Sequence, residues 1–272
     1  MSLSKLGIHV FLIGVSISCL LPLIWMIASS LKTQDAIFTN MSLWPEVFKF
    51  SNYTEAWKGG RFGTYFLNSL FYTVTVIFFI VLFSSMAAFA FSRLDFPGKN
   101  ILFYMFIGVM MIPIPGVFVA IFVILNKLSL INTRVGYILP QINAGLPFSI
   151  YLLKTFFDKI PKEMEDSAKI DGCSKWQIYW HVALPLAKSA IAVIVIFNAL
   201  STWNEFLLAN LIFSDADLMP LQVGLLKFQG ERVTEYPQLM AGMTMTTAFI
   251  IVTYLFMQRF IIKGITAGAV KG

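Results

Sequence analysis

Residues 162–186 read KEMEDSAKIDGCSKWQIYWHVALPL, and the rest of the chain is read outward from them. Seven of the first fourteen are charged: Lys162, Glu163, Glu165, Asp166, Lys169, Asp171 and Lys175. Long apolar runs lie on either side. The 272-residue chain is 58% hydrophobic and 12% charged, with 27 phenylalanines and a mean hydropathy of +0.77. An ordinary globular domain is roughly a quarter charged. One soluble core of this size has no room for so much apolar surface. A helical membrane bundle does, because its lipid-facing and buried sides are both apolar. The sequence predicts an all-α membrane protein in which the loop 158–185 meets water.

Six apolar segments, at about 6–28, 66–91, 101–125, 139–157, 186–212 and 239–262, are read as spans of a single transmembrane domain covering residues 1–272. The first is longer than a secretory h-region and no small-x-small site closes it, so it is expected to be an uncleaved span. Pro22 inside it is tolerable where neighbours recover the freed carbonyl. The stretch Ser84 to Ala90 is rich in small residues, which allow close helix contact. Pro113, Pro115 and Gly116 predict a bent or broken third span. Pro140, Gln141, Asn143, Gly145 and Pro147 predict irregular first turns in the fourth.

Six spans place both ends on one side. With that side inside, twelve of the 20 Lys and Arg fall inside and eight outside, four of these in the long first connection. Long connections count less, so the bias favours a cytoplasmic loop at 158–185, cytoplasmic termini and a cytoplasmic tail at 263–272. The net charge of +6 is scattered over loops and helix ends, which fits membrane orientation and not nucleic-acid binding. Cys19 and Cys173 are expected in different environments, so neither a disulfide nor a zinc site is predicted. His9 and His181 are too few and too far apart for a metal cluster.

Within the loop, Pro161 suits the first position of a short helix with Glu163 in its first turn. Ile160, Met164 and Ala168 recur every four residues and are expected to share a face. Glu165 and Lys169 form an i,i+4 pair on a polar face. Asp171-Gly172 reads as a stop and turn. Ser174-x-x-Gln177 fits a capping box opening a second helix. Trp176, Ile178, Tyr179 and Trp180 supply its apolar surface, and Pro185 marks re-entry to the membrane. The loop is either a solvated connector or a rigid helix–turn–helix that docks a partner and moves the spans attached to it.

Pro161 to Gly172, with Leu184-Pro185 after it, resembles the EAA motif of binding-protein-dependent ABC importer permeases, most closely the carbohydrate-uptake, MalG-like branch. Asn68-Ser69, Ala87 to Arg93, Phe96 to Lys99, Asn132-Thr133, Pro147-Phe148, Trp203 to Phe206 and Gly268 to Gly272 match that pattern in order. The resemblance implies a six-helix permease fold with a cytoplasmic coupling helix, in a bacterial inner or plasma membrane. It implies a second homologous permease subunit forming a hetero-dimer, two cytoplasmic ATPase subunits that hold ATP and Mg, and an extracellular or periplasmic solute-binding protein. It assigns ATPase coupling to Glu163, Glu165, Asp166, Ser167, Ala168, Asp171 and Gly172. Tail contact with the ATPase falls to Gly268, Ala269, Val270, Lys271 and Gly272. The motif here reads Asp166-Ser167-Ala168, so the carboxylate is one methylene short. Ser167 places a hydroxyl where tight packing is expected.

A solute path needs polar groups inside the bundle. Asn198 lies about 12 residues past Leu186, roughly 18 Å into a core about 30 Å thick. Ser201 and Thr202 continue the polar set. Glu205 falls about 29 Å in, near the outer interface. Gln141 and Asn143 join them as path candidates by the same argument. For Asn198 an interhelical hydrogen bond is the competing role. Met243 and Met245 with Thr244, Thr246 and Thr247 give an adaptable surface, more often packing than contact.

The chain has no GxxxxGK[ST] phosphate loop, so ATP hydrolysis is expected in separate subunits and this chain carries no catalytic residues and no cofactor of its own. A secondary transporter needs buried carboxylates, and Glu205 near a span end is the sole one inside the predicted spans. Broken spans argue against a mere membrane scaffold. No arginine cluster in the spans favours a glycerol phosphate, phosphodiester or other phosphate ester, so a neutral sugar or oligosaccharide is the expected cargo.

Overall fold

The computed structural model describes the backbone of residues 3–59, 61–112, 114–228 and 234–269. The described residues are helical, with no strand among the elements: α1 (Leu3–Ser30), α2 (Gln34–Thr39), α3 (Ser51–Gly59), α4 (Phe62–Arg93), α5 (Lys99–Val109), α6 (Ile114–Lys127), α7 (Arg134–Phe157), α8 (Lys162–Ile170), α9 (Lys175–Ile178), α10 (Leu184–Leu186), α11 (Lys188–Trp203), α12 (Leu207–Ile212), α13 (Leu221–Gly224) and α14 (Tyr236–Ala269). A π-helical turn, Tyr179–Ala183, links α9 to α10.

Among the described residues three helices are long and apolar enough to cross a membrane: Gly7–Ser30, Phe62–Arg93 and Tyr236–Phe256. A fourth span results if Lys175–Leu186 and Lys188–Trp203, which meet at 73°, count as one. The six predicted segments map onto these helices as follows, and each departure from the predicted bounds has a local cause. The third segment breaks as expected, into α5 and α6, although Pro113 itself lies outside the described residues. The fourth does not begin irregularly. α7 runs unbroken through Pro140 and Pro147, opened by Thr133, whose hydroxyl accepts the Gly136 N–H at 3.0 Å. The fifth is interrupted at Ala187 and again at Asn204–Phe206, so 186–212 is not one helix. In the last segment the helix begins at Tyr236 and its backbone continues to Ala269, so the predicted tail is continuous with the helix that precedes it.

The chain forms two compact units, and α4 and α14 contribute to both. One comprises the first 66 residues and Leu221–Thr253. Its α1 exposes Val10, Phe11, Ile13, Ile17 and Leu20, the apolar surface a lipid-facing helix requires. At the end of α1 the polar backbone is satisfied internally: Asn52 Nδ2 donates to the carbonyls of Ser30 (2.8 Å) and Lys32 (2.9 Å). The buried Lys32 ammonium donates to the Asn40 and Ser42 carbonyls at 2.7 and 2.6 Å.

The other unit comprises Leu67–Pro220 and the C-terminal end of the chain from Tyr254. Its core joins Val76, Ile80, Ala88 and Phe89 of α4, Leu153 and Phe157 of α7, Ala168 of α8, Tyr179, and Ala190 and Ile194 of α11. The small residues of α4 serve the expected purpose: Ser84, Ser85 and Ala88 are buried, and the Ser85 and Tyr179 hydroxyls bond at 2.8 Å. Asn132, at φ +57°, spans two segments. Its N–H donates to the Ile212 carbonyl, and its side-chain oxygen accepts the N–H groups of Ser214 and Asp215 at 3.0 and 2.9 Å.

Candidate functional site

The 162–186 stretch folds as a helical hairpin, and each of its boundaries has a sequence cause. Pro161 is the N-cap of α8, one position before the expected one, and Glu163 and Glu165 sit in the first turn, where the helix dipole favours carboxylates. At the other end the Gly172 N–H donates to the Lys169 carbonyl (3.0 Å) and the Cys173 N–H to the Ala168 carbonyl (2.9 Å). That bond pair is the Schellman closure, and it needs Gly172 in the left-handed region, where φ is +80°. A Cβ added at Gly172 would meet nothing within 4 Å, so the requirement is torsional and the turn itself stands open. The capping box forms as read: Ser174 Oγ accepts the Gln177 N–H at 3.3 Å while Gln177 Oε1 accepts the Ser174 N–H at 2.8 Å. Ile178 and Tyr179 are buried, whereas Trp176 and Trp180 remain exposed.

The two faces of α8 differ from the periodicity reading. Ile160 and Ala168 are buried, but Met164 is exposed and Glu165 takes the inward position. The Glu165–Lys169 pair does not form. Glu165 instead pairs with Arg93 at the end of α4, and both side chains are only 8% exposed. Arg93 Nη2 also donates to the Ile160 carbonyl at 2.8 Å. A buried arginine offers a carboxylate more than an exposed lysine does, which explains why the long-range pair wins over the local one. Lys169 bonds Asp166 at 2.8 Å, with both side chains more than half exposed. The Lys169 hydrogen bond and charge hold the Asp166 carboxyl below its ordinary value, and Asp166 in turn raises Lys169. Such an exposed pair adds little to stability. Ser167 is exposed, and its hydroxyl donates back to the Glu163 carbonyl at 2.8 Å. Asp171 and Gly172 are exposed as well, so the open side of the hairpin presents Glu163, Asp166, Lys169 and Asp171 together.

Ser92 extends the Arg93 contact. Arg93 Nη1 donates to Ser92 Oγ (3.2 Å), Ser92 Oγ donates to Asp158 Oδ1 (2.6 Å), and Lys154 Nζ donates to Asp158 Oδ2 (2.7 Å). The ends of α4 and α7 and the start of α8 thus meet in one continuous polar chain. Burial alone would raise the Asp158 carboxyl, but the hydrogen bonds from Lys154 and Ser92 and the charges of Lys154 and Arg93 outweigh it and bring it below 3.8. The role of Arg93 was not legible in sequence. It closes a recognisable run at the end of the second apolar segment, but its partner lies 72 positions away.

The path candidates separate into committed and open groups. Asn198 is buried and its amide donates to Ser149 Oγ (3.1 Å) and the Ile194 carbonyl (2.9 Å), the interhelical bond that competed with a solute role. Gly145 makes this contact possible. A Cβ there would lie 2.3 Å from Asn198 Oδ1 and 2.4 Å from Ile80 Cδ1. Glu205 lies in the α11–α12 break, where its carboxylate accepts the N–H groups of Leu208 (2.6 Å) and Ala209 (3.1 Å). These bonds satisfy two of the first N–H groups of α12, at the point where the 186–212 segment is interrupted. Gln141 and Thr202 are buried, while Asn143 and Ser201 are exposed on this chain. Of the tail, Gly268 and Ala269 complete the backbone of α14, and Val270, Lys271 and Gly272 lie outside the described residues. Among the described residues no group of three or more His, Cys, Asp and Glu side chains is placed to hold a metal ion.

The chain is similar to known proteins along most of its length. The trehalose transport system permease protein SugB of Mycobacterium tuberculosis is 34% identical over 255 residues, covering 93% of each chain. The diacetylchitobiose uptake system permease protein NgcG of Streptomyces coelicolor is 31% identical over 265 residues, covering 97% of this chain and 88% of that one. A crystal structure of a bacterial ABC transporter involved in the import of the acidic polysaccharide alginate contains a chain that superposes with a TM-score of 0.81 at 26% identity, covering 95% of this chain and 98% of its own. The family model described as "binding-protein-dependent transport system inner membrane component" matches residues 80–265, which hold α7 to α12 and the whole hairpin. The chain belongs to the family of binding-protein-dependent transport system inner membrane components.

Proposed function

We propose that this chain is the transmembrane subunit of an ATP-driven importer for a sugar or oligosaccharide, and that the α8–Gly172–α9 hairpin is its coupling element. Family membership brings ATPase subunits and a solute-binding protein as partners and leaves ATP hydrolysis outside this chain. The observation that carries the coupling reading is the two-sided hairpin. It is pinned inward by Ile160, Glu165, Ala168 and Ile178, and it presents Glu163, Asp166, Lys169 and Asp171 outward around an open turn. Asp166, with Ser167 and Ala168 after it, meets the ATPase groove, and the Gly172 turn lets α8 and α9 present one rigid surface. The hairpin and both termini lie on the cytoplasmic side, where residues 268–272 add a second ATPase contact.

Carbohydrate as cargo rests on the trehalose, diacetylchitobiose and alginate systems to which the chain is similar. A second permease subunit supplies the other half of the path. Asn143 on α7 and Ser201 on α11 are the polar positions left open for solute or for that partner. Asn198 and Glu205 bond within the chain, and Gln141 and Thr202 are buried.

Two measurements test the reading on the assembled importer in proteoliposomes. ATPase activity is read with the binding protein across a panel of oligosaccharides. Stimulation by at least one is expected, and stimulation by phosphate esters alone would transfer the cargo to that class. Gly172→Trp, which forces a bulky side chain into the open turn, is expected to separate ATP hydrolysis from transport. Full transport per ATP in a normally assembled Gly172→Trp complex would remove the hairpin from coupling.

A further inference from the structure

The hairpin is covalently continuous with two helices. α7 enters it through residues 158–161, and α11 leaves it through α10. α4 has no such connection. It reaches the hairpin through side chains: the Phe89 ring lies 5.4 Å from that of Tyr179, the Ser85 and Tyr179 hydroxyls bond at 2.8 Å, and Arg93 pairs with Glu165. The first contact is apolar and lets helices slide, because dispersion has little direction. The second is a single neutral hydrogen bond. The third joins full charges, both withdrawn from solvent and therefore weakly screened. Arg93 uses its planar fork on three acceptors at once: Glu165 Oε1, the Ile160 carbonyl and Ser92 Oγ.

Consecutive helix residues project roughly 100° apart. Glu165 and Asp166 accordingly divide two tasks, the first turned to α4 and the second to solvent. We propose that the Arg93–Glu165 pair is the link through which α4 follows the hairpin during the transport cycle, with Arg93 and Glu165 as positioning residues. α7 and α11 receive the hairpin's movement along the backbone, whereas α4 receives it through this pair. The Ser92–Asp158–Lys154 chain keeps the end of α7 in step with it. The inference rests on the hairpin being the coupling element.

The test uses the complete importer in proteoliposomes with Arg93→Gln, Glu165→Gln and Arg93→Lys. Solute transported per ATP and amide hydrogen exchange over residues 162–172 are both read. The two glutamine variants are expected to lower transport per ATP about fivefold or more. They are also expected to speed exchange in the hairpin, and Arg93→Lys, which keeps the charge, is expected to recover most of both. An unchanged ratio in the glutamine variants overturns the link, even if exchange quickens, because the pair would then be a local staple. Gly172→Trp in parallel separates the two claims. If it also transports at full ratio, the coupling reading itself fails; if it alone uncouples, only the link fails. A second measurement needs no variant of the pair. In a chain with Cys19 and Cys173 replaced by serine, spin labels at Asp95→Cys and Ile170→Cys are expected to keep one separation with and without ATP. A change of about one helical turn, ~5 Å, overturns the link.

Discussion

The hairpin of α8 and α9 and the polar run of α11 look like opposites in sequence, one wet and charged, the other a few polar residues in an apolar segment. In three dimensions each reverses part of that expectation. The charged hairpin buries one of its carboxylates, Glu165, against Arg93. The polar run of α11 and the break after it bond the residues that looked most available: Asn198 bonds Ser149 and Ile194, and Glu205 accepts the Leu208 N–H at the start of α12. A polar group surrounded by apolar helices must find a partner at once, because leaving it unmade costs about 1–3 kcal/mol. A polar group on a surface helix has water as an alternative and stays free for a protein partner. Asn198 and Glu205 accordingly bond within the chain, whereas Asp166 on the hairpin stays exposed.

The largest expected effect breaks the buried side of the hairpin. Arg93→Ala leaves Glu165 charged and without its partner, and a loss of about 3–5 kcal/mol is expected in unfolding of the purified subunit in detergent. A loss below ~1 kcal/mol would mean that Glu165 finds water easily and is not a buried partner. Next, Gly145→Val drives a branched side chain into Asn198 and Ile80, where Cβ alone already has no room. About 1–3 kcal/mol, or failure to fold, is expected from overpacking. Asn198→Ala sharpens the contrast from the other region. It is expected to cost about 1 kcal/mol of stability. Transport at saturating solute should be retained within about twofold, a change below 0.5 kcal/mol in rate terms. A larger loss of transport with normal stability would return Asn198 to the solute path.

The smallest effect is a pH dependence. The folded Asp158 carboxyl lies below its ordinary 3.8, so its contribution is present at neutral pH, persists above the unfolded value and is lost as pH falls through the folded one. Wild type is expected to lose stability below about pH 4 more steeply than Asp158→Asn. Equal acid slopes in thermal unfolding would show that the Lys154 and Ser92 bonds do not stabilise the charged form.

Legibility followed the range of the interactions involved. The Asp171-Gly172 stop and the Ser174–Gln177 capping box form between residues at most a few positions apart, and both were readable as strings. The broken third segment was readable from its prolines and glycine. The unbroken α7 was not, because Pro140 and Pro147 predict disruption of a helix that continues through both. The break at Asn204–Phe206 was missed for the converse reason: hydropathy continues across it, and only the capping geometry of Glu205 reveals it. The exposed position of Met164 was hidden too, since i,i+4 spacing cannot register that Arg93 draws Glu165 inward.

By itself the sequence determined an all-helical membrane protein, its one charged hairpin and the turn that shapes it. These follow from composition and from contacts within one or two helical turns. Tertiary structure alone decided which carboxylate faces inward, which polar residue of α11 bonds to α7, and how α4 is tied to a hairpin far from it in the chain. Those outcomes depend on burial and on partners tens of residues distant, and a residue's identity does not state how deep it lies or what charge will be packed beside it.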